Sequence, residues 1–100
     1  MNFEWDATKA AANRRKHGVS FDEARTVLEN SLAITVDDER HSDRERREKT
    51  IGFSERFRVL IVVQTQLAKD RIRIISARKA DRDEREAYEE ELKRRLEERR

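Results

Sequence analysis

The chain of 100 residues contains no cysteine and only two glycines, Gly18 and Gly52. Lack of cysteine excludes disulfides and thiolate metal sites. Two separated glycines cannot build a glycine-rich phosphate loop. The two histidines, His17 and His41, lie far apart, so neither a metal nor a cofactor is expected. No serine sits in a nucleophile elbow. The longest apolar run, Val59 to Val63, is far too short to span a bilayer, and residues 1–20 lack the apolar centre of a signal peptide. These absences lead to the expectation of a soluble, cytoplasmic protein with no membrane partner.

What the chain has is charge. Charged residues make up 46% of it, nearly twice the ordinary share, yet the two signs interleave and the net charge is only +2. The positive surplus is local. Between Lys69 and Arg82 stand six basic residues (Lys69, Arg71, Arg73, Arg78, Lys79, Arg82) against Asp70 and Asp81. Residues 71–79 read as a strand, in which alternation sets Ile72 and Ile74 on one face and Arg71 and Arg73 on the other. Arg78 and Lys79 close it beside a helix start. Planar guanidinium forks fit phosphate, so the strand suggests a polyanionic partner. The plainer reading is a half-buried strand with a solvated basic face.

The rest of the chain supplies a scaffold for one domain. Phe3-Glu4-Trp5 spaces its aromatics as a short strand would. Asp6 is a helix cap for Ala7 to about Lys16, and Gly18 ends that helix. Ser20 to Glu23 reads as a capping box, with Val19 as staple, opening a helix to about Leu28. Strands are expected at 32–36, 49–53 and 57–65, with a turn at Glu55-Arg56 and a loop over 66–70. Residues 37–46 form a polar loop holding His41. From Asp81 a helix follows, its narrow stripe made of Tyr88, Leu92 and Leu96. The fold class is therefore α+β: a small antiparallel sheet with two N-terminal helices and one C-terminal helix.

An inventory of Arg, Lys, His, Glu and Tyr on such a sheet suits RNA cleavage. RNA carries its own nucleophile, so an enzyme need only align it, move protons and stabilise a charged phosphorane. Several motifs then become recognisable in order: Phe3-x-Trp5-Asp6, Lys16-His17-Gly18-Val19-x-Phe21-x-Glu23-Ala24, His41-x-x-x-Glu45-x-Arg47, Gly52-x-Ser54, Arg58, Ile72 to Ala80, and Glu84-Arg85-x-x-Tyr88-Glu89. Over residues 3–90 the chain resembles the BrnT family, the toxin half of a type II toxin–antitoxin pair. The resemblance implies a RelE-like toxin domain over 1–90, with 91–100 as a charged extension of the last helix. It also implies an endoribonuclease that arrests translation by cutting RNA, most directly mRNA. Its cognate antitoxin would carry a ribbon-helix-helix DNA-binding part, so DNA is met only through that antitoxin, in a heterotetramer. Where the family often has His or an aromatic before Thr65, this chain has Gln64. The loop 66–70 also lacks the Arg and Gly that often shorten it.

Each site residue has a plain structural alternative. Residues placed in catalysis are His41, Glu45, Arg47, Arg58, Arg78 and Tyr88, and those placed against RNA are Lys49, Arg71, Arg73 and Lys79. His17 is read as a helix-end cap and His41 as either a loop histidine or a proton carrier. Glu45, Arg47 and Lys49 share one face if their strand starts early; the alternative is a surface ion pair. Arg58 beside an apolar strand is an exposed edge residue or a phosphate ligand. Arg73 and Arg78 have opposite parity, so only a bulge near Ile75-Ser76 can aim both at one phosphate. Tyr88 packs in the core or offers its hydroxyl. Two other functions fit the same residues: a non-catalytic binding module, and an adaptor docking through Tyr88, Leu92 and Leu96.

Overall fold

A computed structural model describes residues 1–38 and 46–99. In chain order the elements are β1 (Asn2–Glu4), α1 (Ala7–His17), α2 (Phe21–Leu28), β2 (Ile34–Asp37), β3 (Arg47–Phe53), β4 (Val59–Ala68), β5 (Arg71–Lys79) and α3 (Arg82–Glu98). His41 and Glu45 lie outside the described residues. The strands form one sheet in the order β1-β5-β4-β3-β2. The three pairings from β2 to β5 are antiparallel, as expected, but β1 joins β5 in parallel and makes the sheet mixed. The parallel edge is possible because the whole of α1, α2 and β2 to β4 lies between β1 and β5, far more chain than a parallel pairing needs.

Local chemistry sets the helix ends. Asp6 accepts from the Lys9 amide at 2.9 Å, and Gly18 takes the left-handed conformation (φ 68°) that closes α1. Ser20 caps α2 through the Glu23 amide, at 3.1 Å. The expected reciprocal half of that box is absent, because the Glu23 carboxylate turns inward to other partners. At α3 the box is complete: Asp81 accepts from the Glu84 amide and Glu84 accepts from the Asp81 amide.

Helices α1 and α2 cover one sheet face. Val19, Phe21, Ala24 and Val27 meet Leu60, Val62, Ile74 and Ala77 there, and Trp5 stands edge-on to Phe21 with ring centroids 6.0 Å apart. Each large side chain so buried contributes on the order of 2 kcal/mol. Gly52 leaves room for a close crossing, since a Cβ there would lie 2.9 Å from that of Ala33. Asn13, buried in the alanine-rich α1, donates to the carbonyls of Val19 and Ala77 and accepts from the Ala77 amide. Those bonds lock α1 to the far half of β5. On the other face α3 buries only Tyr88, which meets Phe53 edge-on.

Strand limits differ from expectation, by one or two residues in β1, β2 and β3, the last starting early at Arg47, and at both ends of β4. β4 runs to Ala68, so a two-residue turn at Lys69-Asp70 replaces the loop over 66–70. Its start moves to Val59 because Phe57, at φ 61°, turns the chain through Ser54–Arg58.

Candidate active site and nucleic-acid interface

The geometry of the basic strand turns on one extra residue. β5 pairs Ser76 with Val63 and Ile74 with Gln64, which leaves Ile75 as a bulge. Alternation resets there: Ile74 and Ala77, of opposite parity, both enter the same core. Arg73 and Arg78 therefore emerge together on the face away from α1 and α2. Register places Arg47 opposite Thr65 and Thr65 opposite Arg73, so the three form one row across β3, β4 and β5. Lys49, Val63 and Ser76 form the next row, and Ile51, Ile61 and Arg78 the one beyond. At a strand spacing of about 4.8 Å, the backbones of Arg47 and Arg73 stand roughly 10 Å apart. Arg47, Lys49, Arg73 and Arg78 thus share one face, with Arg71 at its margin.

Most of these cations already hold carboxylates. Glu4 on β1 takes Arg71 at 3.3 Å and Arg73 at 3.1 Å, all three side chains being well exposed. Arg78 grips Glu84 with two bonds of 2.7 and 2.8 Å. That grip holds the Glu84 carboxyl down at about 2 and raises the Arg78 guanidinium further above its usual range. Lys49 is exposed and takes no ion pair among the described residues. Arg47 sits among fixed neighbours. The Asp38 amide donates to the Arg47 carbonyl at 2.8 Å, Arg46 clasps Asp37, and the Thr65 hydroxyl donates to the Arg46 carbonyl at 2.6 Å. Beside Arg78, an apolar groove of about 310 Å³ runs between α3 and the sheet, floored by Ile34, Val36, Ile51 and Ile61.

Other expected site residues sit elsewhere. Arg58 lies at the β3–β4 hairpin, and its guanidinium donates to both oxygens of buried Glu23 and to the Gly18 carbonyl. The Ser54 hydroxyl donates to the same carboxylate at 2.6 Å. Together Arg58 and Ser54 hold the Glu23 carboxyl below its usual range against the opposing effect of burial. This network escaped the sequence reading, although Glu23 on the buried stripe of α2 was a signal for it. Tyr88 is 3% exposed, its hydroxyl donates to the Leu32 carbonyl at 2.8 Å, and burial raises its pKa. Lys79 pairs opposite Leu60 and so belongs to the helix-covered face, exposed at its end. Gln64 also points to that face, where it is buried and donates to the Thr50 hydroxyl at 2.6 Å. The departure from the family at Gln64 is thus on the opposite side of the sheet from Arg47 and Arg73. Among the described residues no three of His, Cys, Asp and Glu gather as metal ligands, and no helix is long and apolar enough to cross a membrane.

A face of this kind can hold a phosphodiester between arginines from separate strands. The family model described as ribonuclease toxin, BrnT, of type II toxin–antitoxin systems matches residues 5–84. The chain belongs to this family. BrnT proteins are ribonuclease toxins, and the matched span takes in both the bulged strand and the Glu23–Ser54–Arg58 network. The fold agrees: the 1.1 Å crystal structure of the Brucella abortus ribonuclease toxin BrnT is similar over 82% of this chain and 99% of that one, at 23% identity and a TM-score of 0.64. None of the curated proteins compared with the chain matches it.

Proposed function

We propose that this BrnT chain is a metal-independent endoribonuclease that cleaves RNA by attack of its 2′-hydroxyl on the adjacent phosphorus. The observation that carries the reading is the Ile75 bulge, which puts Arg73 and Arg78 on the face that register gives to Arg47 and Lys49. Arg47 and Arg73 would hold the phosphate from two sides and stabilise the phosphorane. Glu45 or His41 would take the 2′-hydroxyl proton and return one to the departing 5′-oxygen. The products are a 2′,3′-cyclic phosphate and a 5′-hydroxyl. Arg71 and Lys49 would steer the strand, whereas Arg58 and Tyr88 hold the scaffold and leave the chemistry to others. The toxin's antitoxin would carry a ribbon-helix-helix part, assemble with it as a heterotetramer, and alone make contact with DNA.

Purified toxin freed of its partner should cut single-stranded RNA equally with and without EDTA and leave cyclic-phosphate ends. Intact RNA from folded protein, with and without ribosomes, overturns the proposal; ends of another kind overturn its mechanism. A binding-only reading draws on the pairing of Arg71, Arg73 and Arg78 with Glu4 and Glu84. In that case RNA is bound and recovered uncut.

A further inference from the structure

The tip of the β3–β4 hairpin holds a phenyl ring out in water. Phe57 is 87% exposed and sits at φ 61°, a left-handed conformation that a bulky side chain rarely takes. Such a residue forgoes burial and carries backbone strain together, and its surroundings must enforce both. They do. The Ser54 hydroxyl accepts from the amides of Arg56 and Arg58, at 3.2 and 3.4 Å, while donating to Glu23. The Phe57 amide donates to the Ser54 carbonyl at 2.9 Å, and the Glu55 amide to the Thr26 hydroxyl at 3.0 Å. A buried network thus fixes nearly every amide of a loop whose apolar side chain touches solvent.

Cations stand on the elements bonded to this hairpin, with acidic Glu55 also in the loop. Arg56 is 69% exposed in its side chain and only distantly near Glu23, at 4.0 Å. The Arg58 bond to the Gly18 carbonyl brings in the end of α1, where Arg14, Arg15, Lys16 and His17 close the helix. The Ala80 amide bonded to the Val59 carbonyl brings in Lys79. Lys16 and Lys79 take no ion pair among the described residues. The helix dipole accounts for a basic last turn of α1, but not for Arg56 or Lys79.

We infer that this hairpin end is a second RNA contact, in which a base of single-stranded RNA stacks on Phe57 while Arg56, Lys16 and Lys79 meet its flanking phosphates. The inference rests on the ribonuclease reading for the identity of the polyanion. Stacking accepts any base, so the contact adds affinity without sequence choice. Val59 and Thr65 are six residues apart on β4, about 20 Å, so the stacked base lies several nucleotides from the phosphate held by Arg47 and Arg73.

The test is binding of a 2′-O-methyl RNA that cannot be cut, followed by fluorescence anisotropy, with cleavage of ordinary RNA measured beside it. Phe57→Ala and Phe57→Leu should each bind about tenfold more weakly, and Phe57→Trp should bind like the parent. Phe57→Gly should lose the same affinity while melting no lower than the parent, since glycine accepts a positive φ. RNA binding unchanged in Phe57→Ala or Phe57→Leu overturns the inference. So does weakened antitoxin capture with RNA binding intact, which makes the ring a protein anchor. If the parent toxin neither binds nor cuts RNA, the ribonuclease reading falls first; if it cuts and Phe57→Ala cuts and binds equally, only this inference falls.

Discussion

The two sides of the sheet use arginine for opposite ends, and the difference lies in the carboxylate each arginine meets. Glu23 is buried at the hairpin end, so Arg58 is bound to a charge that cannot return to water. Breaking such a pair strands a buried ion and costs about 3 kcal/mol. On the open face, Arg71 and Arg73 meet exposed Glu4, and Arg78 meets half-exposed Glu84. Pairs of that kind contribute about 0–1 kcal/mol, little enough for a phosphodiester to displace the carboxylate. The same residue type is fixed where its partner is buried and exchangeable where its partner is wet. On the proposed reading, the protein's own glutamates act as placeholders for phosphate.

The largest effect that separates the two regions belongs to Glu23→Ala. It should destabilise the fold by about 3 kcal/mol in urea unfolding, because Arg58 and Ser54 lose their shared acceptor. A loss below 1 kcal/mol means the hairpin pair is as exchangeable as those on the open face. Tyr88→Phe comes next. Removing the bond to the Leu32 carbonyl should cost about 1 kcal/mol and leave cleavage within about twofold of the parent. A hundredfold slower reaction at unchanged stability returns the hydroxyl to the chemistry.

The smallest effect is that of pH on the Arg78–Glu84 pair. Arg78 holds the Glu84 carboxyl at about 2 against an ordinary 4.5. The stability this pair adds is fully present above pH 4.5 and is lost as pH falls toward 2, where the carboxylate takes a proton. With both groups partly exposed, its size is about 0.5 kcal/mol. In Glu84→Gln that slice of acid lability should vanish from unfolding curves taken between pH 5 and 2. An unchanged acid limb shows that the pair adds nothing, as an even looser placeholder would.

The element order and most helix caps were legible in the sequence, and parity, by setting Arg73 and Arg78 at odds, marked Ile75-Ser76 as the place where a bulge would have to lie if both served one site. Local rules were enough because each of these features is decided by residues within a few positions. Glu23 was read as a local capping group for the same reason, and wrongly, since its partners are 31 and 35 positions away. Glu4 finds Arg73 across 69 positions, through a parallel pairing that no turn announces. Nothing near Asn13 in the sequence marks it, because its partner Ala77 lies 64 positions away. Phe57 read as part of a strand, and only the hairpin's buried brace forces it outward.

The claim on which this account depends is that the open face grips the reacting phosphate. Single-turnover cleavage by Arg47→Ala measures it most directly. The account predicts a rate about 100-fold below the parent, with melting temperature and antitoxin binding retained. Cleavage at the parent's rate by that variant contradicts it.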